Sequence, residues 1–270
     1  MTAADVPAAT AALIAADFGD RGTWLAFATK HSACRPVVAE LDGAIVGTGV
    51  GTANGTVGWL ATIWVDPGHR RAGLGRALTE ALIDDLDVSG CRTFVLVATD
   101  AGRRLYERMG FEVQTRYQIL EAPGPAHESG VDPDVRPFAA RDLQAILNLD
   151  RAATGEDRRH AIELFASPTS AMVLRDEGGV RGFVIRAHWG GGATIARSAT
   201  DSLRLLDARR LIGSRPGRVR AGLLDDNQAG LAALEGRGFR RIWSAPRMIR
   251  GAPLEWHPDW IWGQFNHAIG

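Results

Sequence analysis

Between residues 59 and 86 the chain changes from one periodicity to another. Residues 59–65 (WLATIWV) are bulky and mostly apolar along their length, as in a strand buried on both faces, and Pro67 stops them. From residue 73 onward the apolar side chains fall at 74, 77, 78, 81, 82 and 86, which is helical spacing. The connection, DPGHRRAG at residues 66–73, is short, basic and rich in glycine. A buried strand that passes directly into an amphipathic helix commits this stretch to a layered α/β arrangement. Glycines at 73 and 75 permit tight backbone geometry and leave the amides unobstructed, and the helix start adds partial positive charge. Arg70, Arg71 and Arg76 add formal charge, so the loop suits a pyrophosphate better than a carboxylate.

Around this unit the pattern is mixed. Asp5 is placed to cap a helix reaching Phe18. Residues 36–41 and 44–52 read as two strands joined at Asp42-Gly43, a hairpin signal. Residues 93–97 predict a short buried strand, 102–109 a helix and 112–120 a final strand. The segment EAPGPAHESGVDPD (121–134), with three prolines and no periodicity, reads as a linker. The expected domains are therefore 1–121 and 135–270, joined by 122–134.

The second half repeats the plan. Asp142 opens a helix as Asp5 does, a hairpin turns at Glu177-Gly178-Gly179, and Gly238-Phe239 ends a helix as Gly110-Phe111 does. The pairs Asp5/Asp142, Gly47/Gly182 and Phe111/Phe239 keep their order, as in a diverged duplication.

Composition narrows the classes. Thirty-one basic residues balance thirty-one acidic ones among 270, so no global field favours nucleic acid or an anionic membrane. No apolar run approaches the ~20 residues that span a bilayer, and the first ten residues lack the order of a signal peptide. Cys34 and Cys91 have no CxxC spacing and the seven histidines no metal-ligand spacing, so a reduced cytoplasmic setting and no metal are expected.

The strand–loop–helix segment resembles the acyl-CoA loop of the GNAT superfamily of N-acetyltransferases, with Arg70, Gly73 and Gly75 at the three fixed places of its Arg/Gln-x-x-Gly-x-Gly/Ala pattern. LYERMGF (105–111) is similar to that superfamily's second motif. The resemblance covers nearly all of residues 1–120. It implies two tandem GNAT-like mixed α/β folds, each a central sheet flanked by helices, and acetyl-CoA as acyl donor. It implies that Arg70, Arg71, Ala72, Gly73, Leu74, Gly75 and Arg76 hold the pyrophosphate. Ile63, Trp64 and Val65 would supply amides that polarise the thioester carbonyl, and Tyr106 would protonate the leaving thiolate. A tyrosine on a helix face is also often plain packing. The implied partner is a small-molecule or peptide amine, with neither nucleic acid nor membrane, and a homodimer is an allowed assembly. A CoA sensor or scaffold without turnover is the rival reading.

There are departures from the family pattern. Residues 61–65 hold no acid where many relatives carry a glutamate base, which leaves a water chain, Asp100 or a residue of the second domain for that role. Asp66 reads as a turn cap, and Thr99 stands where relatives often have asparagine. The first strand of the fold is nearly missing, which a short start or an edge strand donated from elsewhere would explain. In the second half, residues 193–212 (ATIARSATDSLRLLDARRLI) carry no Gly-x-Gly, and Leu234 occupies the tyrosine position although Asn227 is kept. That half resembles the degenerate C-terminal half of tandem GNAT proteins. Gly190, Gly191 and Gly192 precede a strand and read as a hairpin loop, and the three tryptophans of WHPDWIWGQF (256–265) read as packing.

Overall fold

The computed structural model describes residues 1–122, 132–189, 191–209, 212 and 219–270. Residues 123–131, the heart of the segment read as a linker, and Gly190 lie outside the described residues. The chain forms two compact units. Unit 1 comprises Met1–Glu112, Met248–Ala252 and His267–Ile269, and unit 2 comprises Val113–Arg247, Pro253–Asn266 and Gly270.

Unit 1 begins with two helices, α1 (Val6–Ala15) and α2 (Gly22–Ala28), where the sequence predicts one. Asp5 does not cap α1. Its carboxylate instead accepts from the Thr2 amide at 2.6 Å and the Thr2 hydroxyl at 3.0 Å. Strands β1 (Cys34–Leu41), β2 (Ala44–Asn54) and β3 (Val57–Val65) follow as an antiparallel meander. The β1–β2 turn takes φ +50° at Asp42 and +78° at Gly43, the two left-handed residues that a tight two-residue hairpin demands. Helix α3 (Leu74–Val88) then crosses to β4 (Thr93–Val97), which pairs parallel with β3, and α4 (Asp100–Arg108) closes the unit's main segment.

The seat of α3 is cut into β2. Gly47, Gly49 and Gly51 alternate along the strand and so share one face. A Cβ at Gly47 would lie 2.9 Å from Leu78, one at Gly49 2.9 Å from Leu82 and one at Gly51 3.1 Å from Leu86. Leu78, Leu82 and Leu86, four residues apart on one face of α3, drop into the three vacancies. Gly58 on β3 makes a fourth, 2.9 Å from Leu86. The other face of β2 presents Thr48, Val50, Thr52 and Asn54, all fully buried, and α1 packs on this strand.

Unit 2 holds strands β5 (Glu112–Ala122), β10 (Val219–Leu224) and the greater part of β11 (Arg240–Gly251), ordered β11-β5-β10. A second sheet is ordered β12-β9-β8-β7-β6, from β6 (Val135–Pro137), β7 (Ala171–Asp176), β8 (Gly179–Ile185), β9 (Thr194–Ala196) and β12 (Ile261–Gly263). Its helices are α5 (Leu143–Thr154), α6 (Arg159–Phe165), α7 (Ala199–Ala208) and α8 (Gln228–Gly236). The Gly47/Gly182 correspondence has a physical cause, because a Cβ at Gly182 would lie 2.7 Å from Leu205 of α7, repeating the glycine-under-leucine contact of unit 1. Of the tail tryptophans, Trp262 is 1% exposed in the core with Leu120, Leu223 and Leu234, and Trp256 lies under the Arg247 guanidinium at 4.5 Å. Trp262 packs, as the sequence reading has it, while Trp256 and Trp260 are half-buried.

Candidate active site

Strand β3 is paired on both sides for only half its length. Its parallel register with β4 runs from Val57↔Thr93 to Leu60↔Leu96 and ends there, while its antiparallel register with β2 continues to Gly47↔Val65. Residues 61–65 therefore pair with β2 on one side and, among the described residues, with no strand on the other, which leaves a gap in the pairing there. Backbone groups of a strand alternate between its two neighbours. The Asp66 amide donates to Val46 O at 2.8 Å, on the β2 side, so the backbone of Val65 turns toward the gap. Trp64 turns back to β2, and Ile63 again faces the gap. Of the three residues singled out from the sequence, Ile63 and Val65 direct their backbone groups there, whereas Trp64 is spent on the sheet.

The loop that leaves β3 is exposed from Pro67 to Gly73 except for the half-buried His69. Asp66 starts it as a turn cap, accepting from the Gly68 amide at 2.8 Å and contacting His69 Nδ1 at 3.0 Å. The hydrogen bond from His69, with that of Gly68, holds the Asp66 carboxyl below the usual carboxylate range. His69 thus serves the turn. Arg71 and Gly73 take φ +69° and +84°, so the chain turns sharply before Leu74 starts α3. Space does not restrict Gly73, since a Cβ there would meet nothing within 4 Å, but its left-handed backbone does. Gly75 is the reverse case, because a Cβ would lie 3.3 Å from Leu105 of α4. Arg70 folds over the end of β3 and donates from Nε to Val65 O at 3.2 Å. Arg76 is paired with Glu80 at 2.7 Å. The first turn of α3 carries no acidic side chain that would oppose an anion at its N-terminus.

Tyr106 lies on α4, 8% exposed, among Leu60, Leu82, Leu96 and Phe111, with the Phe111 ring edge-on at 6.0 Å. Its hydroxyl makes no hydrogen bond among the described residues, and burial pushes its pKa up to about 12. Thr99, in place of the expected asparagine, caps α4 by accepting from the Gly102 amide at 3.2 Å. Three residues were missed by sequence reasoning. Thr62 has φ +54°, its hydroxyl accepts from Trp24 Nε1 at 3.2 Å, and its carbonyl accepts from Thr48 Oγ1 at 2.8 Å. The only trace in the sequence is a polar residue inside an apolar strand.

Among the described residues unit 2 shows no counterpart of this loop. Eight residues separate β3 from α3, but only Arg197 and Ser198 separate β9 from α7. Ser198 caps α7, and Asp201 in its first turn is buried and paired with Arg181 at 2.7 Å. Leu234 is fully buried, and Asn227 is occupied in capping α8 through the Gly230 amide at 2.8 Å. Among the described residues no cluster of three or more His, Cys, Asp or Glu side chains is arranged to hold a metal, and no helix is long and apolar enough to cross a membrane.

The acetyltransferase (GNAT) family model matches residues 8–111, and an acetyltransferase (GNAT) domain model matches residues 146–263. The chain belongs to the GNAT acetyltransferase family. It is a tandem member, with one mixed α/β GNAT fold following another. A Pyrococcus horikoshii structure assigned as an acetyltransferase superposes on this tandem GNAT protein with a TM-score of 0.81 at 20% identity, covering 100% of this chain and 94% of that one. A tandem GNAT protein from the clavulanic acid biosynthesis pathway gives 0.59 at 15% identity, over 94% and 98% of the two chains. In sequence, 59 residues are 46% identical to the ribosomal protein bS18-alanine N-acetyltransferase of Escherichia coli K12. That stretch is 21% of this chain and spans 40% of that relative's length.

Proposed function

We propose that this tandem GNAT protein is an N-acetyltransferase that binds acetyl-CoA in unit 1 and transfers the acetyl group directly to a primary amine. The observation that carries the reading is the half-paired β3, whose backbone opens on a gap beside the basic loop at the start of α3. Amides along the opened strand are donors aimed at a carbonyl oxygen as it gains negative charge. Arg70 and the amides of residues 71–76 neutralise the pyrophosphate. The amine nitrogen attacks the thioester carbonyl carbon, the carbon–sulfur bond breaks, and Tyr106 protonates the departing thiolate. Residues 61–65 hold no carboxylate, and Asp66 is engaged by Gly68 and His69, so we assign removal of the amine proton to water. The acceptor is a small amine or a peptide amine.

The test is acetyl-CoA turnover across polyamines, amino sugars, amino acids and peptides with free N-termini. Turnover with at least one amine is expected. For a peptide acceptor, kcat/KM should rise about tenfold per pH unit and level off near pH 8, the usual α-amino value, because no enzyme carboxylate sets the limb. Arg70→Ala should weaken CoA binding about ten- to a hundredfold, the equivalent of ~1.5–3 kcal/mol for a charge-assisted hydrogen bond. Tight CoA binding with no turnover on any amine would leave a CoA-binding module, and unchanged affinity in Arg70→Ala would move the site elsewhere.

A further inference from the structure

Thr62 holds an unusual backbone for its residue type. A β-branched side chain with φ +54° is an outlier, because the left-handed region crowds Cβ against the chain. It occurs inside β3, where the register with β2 slips. Thr48 pairs with Trp64 but Val50 pairs with Ala61, so Thr62 and Ile63 together oppose Gly49. This is a bulge, and bulges re-aim the groups next to them. The group next to this one is Ile63, whose amide faces the gap beside β4.

Two side chains hold the bulge from different elements. Trp24 of α2, 7% exposed, donates from Nε1 to the Thr62 hydroxyl at 3.2 Å. Thr48 of β2, fully buried, donates from its hydroxyl to the Thr62 carbonyl at 2.8 Å. One bond fixes the side chain and the other fixes the peptide plane that leads into the Ile63 amide. Without them Thr62 would relax to the extended backbone that a threonine prefers in a strand, and that relaxation would turn the Ile63 amide.

We propose that Trp24 and Thr48 are positioning residues that clamp Thr62 in its left-handed conformation and thereby aim the Ile63 amide. The catalytic consequence rests on the reading of that amide given under Proposed function, and the clamp itself is measured without turnover. Glycine adopts positive φ with no side chain for Trp24 to hold, so Thr62→Gly supplies a background in which the Trp24 half of the clamp has nothing to do.

The experiment compares wild type, Trp24→Phe, Thr48→Val, Thr62→Gly and the double variant Trp24→Phe/Thr62→Gly. Amide hydrogen exchange over residues 59–66 is read without ligand, and melting curves confirm folding. Calorimetric binding of CoA, and kcat and KM with acetyl-CoA and a peptide bearing an N-terminal alanine or with spermidine, complete the set. Trp24→Phe and Thr48→Val should each speed exchange in that peptide about tenfold by local opening. Each should lower kcat about ten- to a hundredfold, as small misplacements of catalytic groups do, with affinity for CoA changed less than about twofold. In the Thr62→Gly background, adding Trp24→Phe should change exchange and kcat by less than about twofold. Unaltered exchange in both single variants would overturn the clamp, as would an equal effect of Trp24→Phe in both backgrounds, which would mark Trp24 as packing alone. If wild type turns over no amine, the acetyltransferase reading fails, and the exchange comparison still decides the clamp.

Discussion

Tyr106 fills the core, and its burial bears on the acid role proposed for it. Its ring helps to fill the core with Leu60, Leu82 and Phe111, which explains why a tyrosine is tolerated there at all. The same burial disfavours the phenolate and pushes the pKa up to about 12, so the hydroxyl keeps its proton through the whole working range. In the acid role proposed for it Tyr106 would pass that proton uphill. A thiolate whose thiol has a reference value of about 8.5 is a weaker base than a phenolate at about 12, which makes the tyrosine a weak acid for this step. The thiolate also leaves readily by itself, which limits what the acid can add. Tyr106→Phe should therefore lower kcat only about tenfold, near or below the low end of general-acid effects, with CoA affinity changed less than about twofold. The loss should be constant from pH 6 to 9, since Tyr106 does not titrate there. Full activity in the variant would make Tyr106 packing alone. Arg70, Gly73, Gly75 and Tyr106 could be proposed at this scale, because they are chemical types at fixed spacing. Thr62 could not, because a positive φ is set by a register slip between two strands and by donors from residues 24 and 48, none of which leaves a local mark.

At the scale of elements, the glycines of β2 determine where α3 lies. Each one removes a Cβ under a leucine, so the helix approaches the strand closely and its N-terminus is delivered beside the end of β3. Gly49→Val tests this. Valine favours strand backbone over glycine, so propensity alone would make the variant more stable. The added side chain would instead collide with Leu82, 2.9 Å from the new Cβ and flanked by the neighbouring contacts at Leu78 and Leu86. Overpacking of this kind costs ~1–3 kcal/mol, and a shift of the helix would carry with it the loop proposed to hold the phosphates. Thermal unfolding should show lower stability, and CoA affinity should fall in parallel. A variant as stable as wild type would mean that α3 is held by something other than the glycine seat. The strand–helix alternation was readable because burial on a sheet and burial on a helix leave different periods. Helix α2 was not, since its seven residues, GTWLAFA, are too short and too uniformly apolar to show a helical period and begin at a glycine without a side-chain cap. Asp5 misled for a related reason. A carboxylate near a helix start can satisfy a preceding turn as well as the helix, and here Thr2 takes it.

For the molecule as a whole, the duplication seen in the sequence is one of architecture and not of chemistry. The positions that recur are those the fold needs: a glycine beneath a helix leucine at Gly47 and Gly182, and a helix cap at Thr99 and Asn227. The positions that differ are those proposed above to hold acyl-CoA. Where unit 1 spends eight residues between strand and helix, unit 2 spends two, too few for a loop that wraps a pyrophosphate. Where the first turn of α3 has no acid, α7 has Asp201, buried and held by Arg181. Leaving a doubly charged pyrophosphate unpaired in such a place costs several kcal/mol, so unit 2 should not bind it. Calorimetric titration of the intact chain with CoA should accordingly give one site per chain. Gly73→Glu should abolish that binding without unfolding the protein. Nothing lies within 4 Å of the new Cβ, but a side chain at φ +84° is strained and the added carboxylate repels phosphate. A stoichiometry of two, or tight binding that survives Gly73→Glu, would mean that unit 2 improvises a phosphate site from its own arginines, and the restriction of the acyl-CoA to unit 1 would have to be abandoned.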